Sequence, residues 1–361
     1  MNTYFLCATQ PGNLGDLVIN KMLVDELCLY GKVYVDAYHL PETIKVYLFE
    51  NQNAIDVNKN FGCTLKRYQL GKVAKIIKSN HIELYTNSPG PLYLLSLYKR
   101  VMFRFMHFLI RRQGAKVVNI GGCCSSSIIR GLKFSQIGIS EYYLRSFQSV
   151  EYLKLQLKEI KISYIPDISL LLRLKVKPNY LSKKHSVAFS FRPDGQNVGE
   201  LRKQCIRIIN SFVKESYSVV LYWQVAKDEV FVRSLYAEFE SINEVSLYEK
   251  QLWYEDMDFY EDKQFVVSNR LHSLLIGGVY GAVPIVFGDS AVACAKISHV
   301  FSSVFKSDLL AAQNSYNGEI DVRKLISNLE TMQADADESI NTAAEQCRNI
   351  ISNISNDRTN A

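Results

Sequence analysis

Short apolar runs that end in small polar residues alternate along this chain with longer stretches of helical periodicity, and they do so in two series. A parallel strand buried on both faces reads as a near-continuous apolar run, and its parallel neighbour requires a crossover helix between them. The alternation therefore predicts an α/β chain with two doubly wound, Rossmann-like domains facing a cleft. The first series opens with the buried strand Thr3 to Ala8, the loop Gln10 to Asp16 and an apolar-periodic helix from Leu17 to Leu29, followed by a strand at Lys32 to Val35. Residues 36–90 carry short mixed elements that periodicity does not place. A helix over 92–112, a strand at Lys116 to Ile120, helical patterning near Glu141 and a strand at Ile162 to Ile165 complete this half. The polar stretch Lys175 to Lys184 reads as a linker, dividing an N-terminal domain of residues 1–178 from a C-terminal domain of 179–361. The second series runs from the strand Ser186 to Phe191 through helix 198–215, strand 218–223 and helix 228–240, and ends in two polar helices from about residue 320.

At 361 residues, 48% hydrophobic and 22% charged, the chain exceeds what one core usually serves. Lys plus Arg exceed Asp plus Glu by 42 to 36, and a net +6 over so large a surface falls short of a nucleic-acid binder's concentrated charge. Anionic small molecules or an anionic membrane surface fit better. Of the eight cysteines only Cys123 and Cys124 are adjacent, and no C-x-x-C occurs, which is simplest in a reduced, cytoplasmic compartment. The longest apolar stretch, near 274–288, is interrupted by Gly277, Gly278, Gly281 and Pro284. It does not read as a spanning helix, and the N-terminus, without a basic n-region, does not read as a signal peptide.

The stretch Phe265 to Ile276 concentrates the chemistry. A three-residue apolar run passes through Ser268 and Asn269 into a helix whose mouth carries Arg270, Leu271 and His272. The unpaired amides and positive dipole end of a helix favour an anion, and an arginine adds a planar fork for carboxylate or phosphate. Histidine moves protons near neutral pH. A surface arginine with a capping or packing histidine is the plainer alternative. Arg192, at the end of the strand Ser186 to Phe191, is a second cation placed after a buried strand.

Two glycine-containing loops also follow strands. Asn13, Gly15 and Asp16 precede the first helix, and Gly121 and Gly122 follow the strand at 116–120. Such loops let a ligand approach the backbone closely, although any tight turn recruits glycine and Asp16 can serve as an N-cap. The segment LYLLSLYKRVMFRFMHFLIRR at 92–112 is apolar apart from its cations, with Arg100, Arg104, His107 and Arg111 at spacings that form one stripe. It reads either as a helix packed between neighbours with that stripe in solvent or as a helix lying on a membrane surface. The acidic segment Glu255-Asp256-Met257-Asp258 contains a D-x-D spelling, but such runs on helices are mostly solvated faces, and no metal is assigned.

Asn13-Leu14-Gly15-Asp16, the Gly121-Gly122 loop, Arg145 with Ser149 and Leu153, Pro166-Asp167, Phe191-Arg192, and Arg270-Leu271-His272 with Gly281-Ala282-Val283-Pro284 occur in a recognisable order. In this the chain resembles the polysaccharide pyruvyl transferase family over about residues 11–300. The resemblance implies a fold like that of GT-B glycosyltransferases. It also implies transfer of a pyruvyl group from phosphoenolpyruvate, as a ketal, to a sugar of a cell-surface polysaccharide precursor. Where the family often has a third glycine and a nearby Asp, this chain has Cys123 and serines.

Phosphoenolpyruvate carries a carboxylate and a phosphate on one small frame, so its site needs at least two cationic or backbone-donor groups close together. Arg192, Arg270, Leu271, His272 and Ser268 are the candidate donor-binding residues, with His272 and Arg192 the catalytic candidates. Asn13, Gly15, Asp16, Gly121 and Gly122 are the candidates for the acceptor side or its loops. No cofactor or metal is required by this scheme. The expected partners are phosphoenolpyruvate and a sugar acceptor, with a lipid-linked acceptor placing the protein at the inner face of the cell membrane. A nucleotide-sugar-dependent GT-B glycosyltransferase of capsule, exopolysaccharide or lipopolysaccharide synthesis is the alternative, and a non-catalytic sugar-binding scaffold is a third reading.

Overall fold

The computed structural model describes residues 1–357 apart from 66–68, 93–95, 125–137, 195–196, 289–290 and 306–319, with backbone alone for 291–296. The serine run 125–127, Gly195 and Asp289 lie outside the described residues. The chain forms two compact units, one of Met1–Pro11, Ile19–Ile168 and the segment from Gln346 on, the other of Gly12–Val18 and Ser169–Glu345. The sequence places the division at 178/179. In the structure the chain passes between units at Ile168–Ser169, and the stretch 175–184 lies inside the second unit, carrying a 3-10 turn at Tyr180–Ser182.

In the first unit the elements are β1 (Asn2–Leu6), α1 (Leu14–Leu27), β2 (Val33–Asp36), α2 (Glu42–Leu48), β3 (Ala54–Asp56), α3 (Val57–Phe61), α4 (Leu70–Ser79) and β4 (Ile82–Asn87). They continue with α5 (Leu97–Arg112), β5 (Lys116–Gly122), β6 (Glu141–Leu144), α6 (Phe147–Lys154) and β7 (Lys161–Tyr164). The seven strands pair in parallel in the order β3-β2-β1-β4-β5-β6-β7, a doubly wound order whose direction reverses between β1 and β4. The first turn of α1, to Val18, belongs to the second unit. Tyr4, Leu6, Tyr34, Val73, Ile77, Tyr85, Met106, Ile110 and Val117 pack one core of this unit.

Residues 36–65 are organised by a buried carboxylate rather than by periodicity. Asp36 accepts from Tyr4 Oη at 2.9 Å, Thr64 Oγ1 at 2.8 Å, the Leu65 amide at 2.7 Å and Asn58 Nδ2 at 3.2 Å. Burial, reinforced by Asp36, holds the Tyr4 phenol well above its ordinary pKa, so it stays a donor.

Two local expectations are corrected. Glu141–Leu144 is a strand paired with β5 and β7, and the helix begins only at Phe147, behind the Ser146 cap that accepts from the Ser149 amide. Tyr142 and Leu144 are fully buried there, and aromatic and branched side chains fit a pleated surface better than a helix interior. The stripe of Arg100, Arg104, His107 and Arg111 is not exposed throughout. His107 is 5% exposed, between the rings of Tyr85 at 5.9 Å and Phe103 at 6.1 Å, whereas Arg104 and Arg111 are exposed.

The second unit contains β8 (Ser186–Ser190), α7 (Val198–Lys214), β9 (Ser218–Leu221), α8 (Glu229–Tyr236), β10 (Val245–Leu247), β11 (Phe265–Ser268), α9 (Leu271–Val279) and β12 (Val283–Val286). After these come α10 (Ala291–Val304), α11 (Val322–Ser327) and α12 (Leu329–Asn356), whose last turns from Gln346 belong to the first unit. Its five parallel strands run β10-β9-β8-β11-β12, reversing between β8 and β11. Phe189, Phe212, Tyr217 and Phe265 form an aromatic core with ring centroids 5.5–5.8 Å apart. A Cβ on Gly277 would lie 2.5 Å from Val266 Cγ2, so the glycine lets α9 lie flush on β11. Among the described residues no helix is long and apolar enough to cross a membrane.

Burial pushes the pKa of His107 down from 6.5 to about 4. The unfolded chain takes up this proton near 6.5 and the folded one only near 4, so the stability held by the neutral ring is complete above pH 6.5 and is lost as the pH falls toward 4. The integrated loss is about 3 kcal/mol. A His107→Leu protein is expected to show a flatter acid limb in a plot of Tm against pH, and a limb identical to the parent's contradicts this account.

Candidate functional site

In a doubly wound sheet the crevice beyond the strand C-termini opens where the order reverses, because the flanking connections leave toward opposite faces. In the second unit that point lies after β8 and β11, which deliver Phe191-Arg192 and Asn269-Arg270. Asn269 clasps the neighbouring strand end. Its Oδ1 accepts from the Arg192 amide at 2.6 Å, and its Nδ2 donates to the Arg192 carbonyl at 2.8 Å. Ser268 is fully buried, donates its hydroxyl to the Ser190 carbonyl and accepts from the Arg270 amide at 2.9 Å, so its polar atoms serve the backbone.

Arg270 is the N-cap residue of α9, with extended φ and ψ. Its Nε and Nη2 donate to the two oxygens of Asp228 at 2.8 and 2.5 Å, a bidentate pair in which Asp228 is 1% and Arg270 14% exposed. Burial pushes the Asp228 carboxyl up, against the pull of the Arg270 guanidinium. Beside them Lys227 is ion-paired with Asp194, whose carboxyl is held below its usual value first by Lys227 and then also by the fields of Arg270 and Arg192. Three cations thus stand with two carboxylates at the end of the β8–β11 pair, an arrangement with a net positive field that is already partly ordered before a ligand arrives.

Leu271 and His272 are half-buried at the start of α9. The segment Gly12–Val18 docks here as part of the same unit. Asn13 forms an antiparallel bridge with Val225, the Leu14 amide donates to the Gln224 carbonyl at 3.3 Å, and Gln251 Nε2 donates to the Gly12 carbonyl at 2.9 Å. Gly15 lies against His272 so closely that a Cβ would sit 2.5 Å from the imidazole Cγ and the histidine Cβ. Its amide donates to Asn13 Oδ1 at 3.1 Å, and Asp16 follows in the first turn of α1. Behind α9, Ser273 Oγ donates to Gln224 Oε1 at 2.9 Å, and Gln224 Nε2 donates to Tyr260 Oη at 2.7 Å.

The structure therefore places Asn13, Gly15, Asp16, Arg192, Ser268, Arg270, Leu271 and His272 in one unit. Gly121 and Gly122 lie in the other, and packing accounts for both. Gly121 has φ +76° and would place a Cβ 2.8 Å from Pro89, while a Cβ on Gly122 would run into Asn119 Oδ1. Nearby, Arg145 donates to Asp167 at 2.8 Å and to Cys123 Sγ at 3.5 Å, a buried pair that ties the ends of β5 and β6 to the segment after β7. Sequence reasoning did not single out Asn269, Asp228, Gln224 or Gln251. The one available signal was a polar Asn between a buried strand and a helix.

No family model and no curated relative matches the sequence. Solved structures do resemble the fold. UDP-GlcNAc 2-epimerase from Neisseria meningitidis, bound to UDP-GlcNAc, superposes with a TM-score of 0.62 at 10% identity over 98% of this chain and 99% of that one. HepE from Anabaena, in complex with UDP and glucose, gives a TM-score of 0.55 at 13% identity over 98% and 99%. A glycosyltransferase from Rickettsia africae gives 0.52 at 13% identity over 99% of each chain. At such identities the likeness carries the fold, which is GT-B.

Two variants test the site's construction. Gly15→Ala is expected to displace the imidazole and cost about 1–3 kcal/mol, the usual size of overpacking. It should lower Tm and shift the His272 ring resonances, and a variant with parental resonances and Tm would refute the contact. Arg270→Ala leaves the Asp228 carboxylate buried without its counter-ion and should cost about 3–5 kcal/mol in chemical denaturation. Asp228→Asn/Arg270→Gln, which removes both charges, should lose less; an equal or larger loss contradicts the pairing.

Proposed function

We propose that this protein is a transferase of cell-surface polysaccharide synthesis that uses a nucleotide-activated sugar, a GT-B glycosyltransferase in type. The observation that supports this reading is the cation group Arg192, Lys227 and Arg270 beside the start of α9, at the strand ends where a doubly wound sheet takes its ligand. A diphosphate suits such a group, because its two charged phosphates span several donors and it carries away the charge released when the sugar leaves. The fold neighbours bound to UDP-GlcNAc, or to UDP and glucose, agree with a ligand of this class.

In this scheme the acceptor hydroxyl oxygen bonds to the anomeric carbon as the bond from that carbon to the diphosphate oxygen breaks. The electron pair leaves on the diphosphate, opposite the cations. The acceptor's proton passes to His272, which Gly15 holds in place from one side. Asp228 is a positioning residue that fixes Arg270.

Pyruvyl transfer from phosphoenolpyruvate is the second reading, favoured by one specific observation. The contact of Gly15 with His272 joins two of the segments on which the resemblance to polysaccharide pyruvyl transferases rests. There the same cations would take the donor's carboxylate and phosphate, and His272 would move a proton as the methylene carbon is protonated to a methyl group and the first sugar hydroxyl, losing its own proton, adds to the enol carbon. Phosphate then leaves and a second hydroxyl closes the ketal.

Calorimetry with UDP, UDP-sugars, GDP-sugars and phosphoenolpyruvate separates the two. A nucleotide is expected to bind and raise Tm, with phosphoenolpyruvate inert; the reverse outcome selects pyruvyl transfer, and silence of both classes overturns both readings. With the ligand identified, Arg192→Ala should weaken its binding by about 1.5–3 kcal/mol. His272→Ala should cost about 10² to 10⁴ in turnover while largely sparing donor affinity. Full turnover in His272→Ala refutes the proton-transfer role.

A further inference from the structure

Among the described residues, α5 in the first unit carries the largest group of exposed large apolar side chains. Met106, His107 and Ile110 turn inward, and Leu97, Tyr98, Val101, Phe105 and Phe108 remain 47–65% exposed on the other side. Val101, Phe105 and Phe108 line an open recess of about 940 Å³ together with Arg104, Arg111 and Arg112. Two features distinguish this face from an ordinary solvated helix. A soluble surface rarely groups aromatic and branched side chains in one patch, and this helix of 16 residues contains five Lys and Arg and no acidic residue. Among the described residues no carboxylate pairs with Arg111 or Arg112.

We propose that the exposed face of α5 docks on an anionic lipid bilayer, with Val101, Phe105 and Phe108 entering the headgroup–acyl boundary and the arginines meeting lipid phosphates. Charge complementarity selects this occupant. A helix lying in an interface needs an apolar face flanked by long cations whose stems lie along it while their heads reach phosphate, and that is the composition here. A folded protein partner would have to supply carboxylates to the adjacent Arg111 and Arg112 at once, whereas an anionic leaflet presents negative charge over its whole surface and contributes about tenfold in affinity for every one or two cations brought near it. The burial of His107 narrows rather than weakens the face, since it leaves Arg104, Arg111 and Arg112 as the cations around the recess. A surface of this kind would hold a transferase where a lipid-linked acceptor lies, yet the inference stands on α5 alone and does not depend on which donor the second unit takes.

The test is co-sedimentation of the full chain with vesicles of phosphatidylcholine containing phosphatidylglycerol, against vesicles of phosphatidylcholine alone. Binding is expected to the anionic vesicles and to weaken as salt is raised, because headgroup attraction is screened within a Debye length. Arg111→Glu/Arg112→Glu and, separately, Phe105→Gln/Phe108→Gln are each expected to weaken it about tenfold or more. All four side chains are exposed, so parental Tm values should be retained; if one double variant loses its fold, the other carries the comparison. Donor binding measured by calorimetry should be unchanged in both, which separates failure here from failure of the proposed function. The proposal is overturned if the parent protein ignores anionic vesicles or if folded variants bind them like the parent. It is equally overturned if the variants instead abolish a dimer seen by light scattering while vesicle binding persists.

Discussion

The amide side chain of Asn269 sets the geometry on which the candidate site depends. Parallel strands at a switch point are free to splay beyond their last ladder bonds, because the connections on either side pull toward opposite faces. Asn269 prevents this by spending both its carbonyl and its NH₂ on the backbone of Arg192. A carboxylate of the same size would accept the amide but repel the carbonyl, so the clasp requires a group that both donates and accepts. Ser268 adds a second tie, joining the Ser190 carbonyl to the Arg270 amide through one hydroxyl. The start of α9, and with it His272, is thereby fixed relative to the end of β8.

The Arg270–Asp228 pair extends that fixed frame to a charge. Removing two ions from water is costly, and a buried pair commonly gives back little net stability. Its value here lies in position, since both guanidinium bonds come from a 1% exposed carboxylate and the arginine is held in one orientation. In the proposed reading an anion meets a guanidinium whose Nε–Nη2 edge is committed to Asp228 and whose conformational entropy has already been lost in folding, so less is lost on binding. The counterweight is partial neutralisation. In the proposed reading affinity comes from Arg192, Lys227 and the helix start together, and a compact monoanion gains less from such a spread group than a ligand with two separated charges.

The elements legible in the sequence are those whose apolar runs are continuous, as in β8 and β11, where burial on both faces removes any need for polar alternation. Residues 36–65 were illegible for a physical reason. Their short elements, including a three-residue strand, are held by donors converging on Asp36 from Tyr4, Asn58, Thr64 and Leu65, and convergence of that kind leaves no period. Helix α5 was legible as a helix but not in its orientation, because the spacing that aligned His107 with the arginines carries no information about which residues a neighbour covers. At the site, Arg192, Ser268, Arg270 and His272 were visible because each comes at or just after the end of a buried apolar run. Asp228 was not, because its role depends on β9 lying beside β8, a property of strand order rather than of spacing.

The segment around Gly15 has a physical role in the fold that differs from the obvious one. A glycine loop opening a helix suggests amides offered to a ligand. Here three of those amides are occupied: Leu14 donates to the Gln224 carbonyl, Gly15 to the Asn13 side chain and Leu17 to the Asn13 carbonyl. The glycine is required instead by steric closeness, since its missing Cβ is what admits the His272 ring. Its contribution is thus to restrain an imidazole rather than to bind an anion. That leaves the start of α9 and its neighbouring cations as the anion-binding side of the proposed site. In the proposed transfer, the cation Arg270 and the imidazole of His272 then belong to one short stretch at the start of α9.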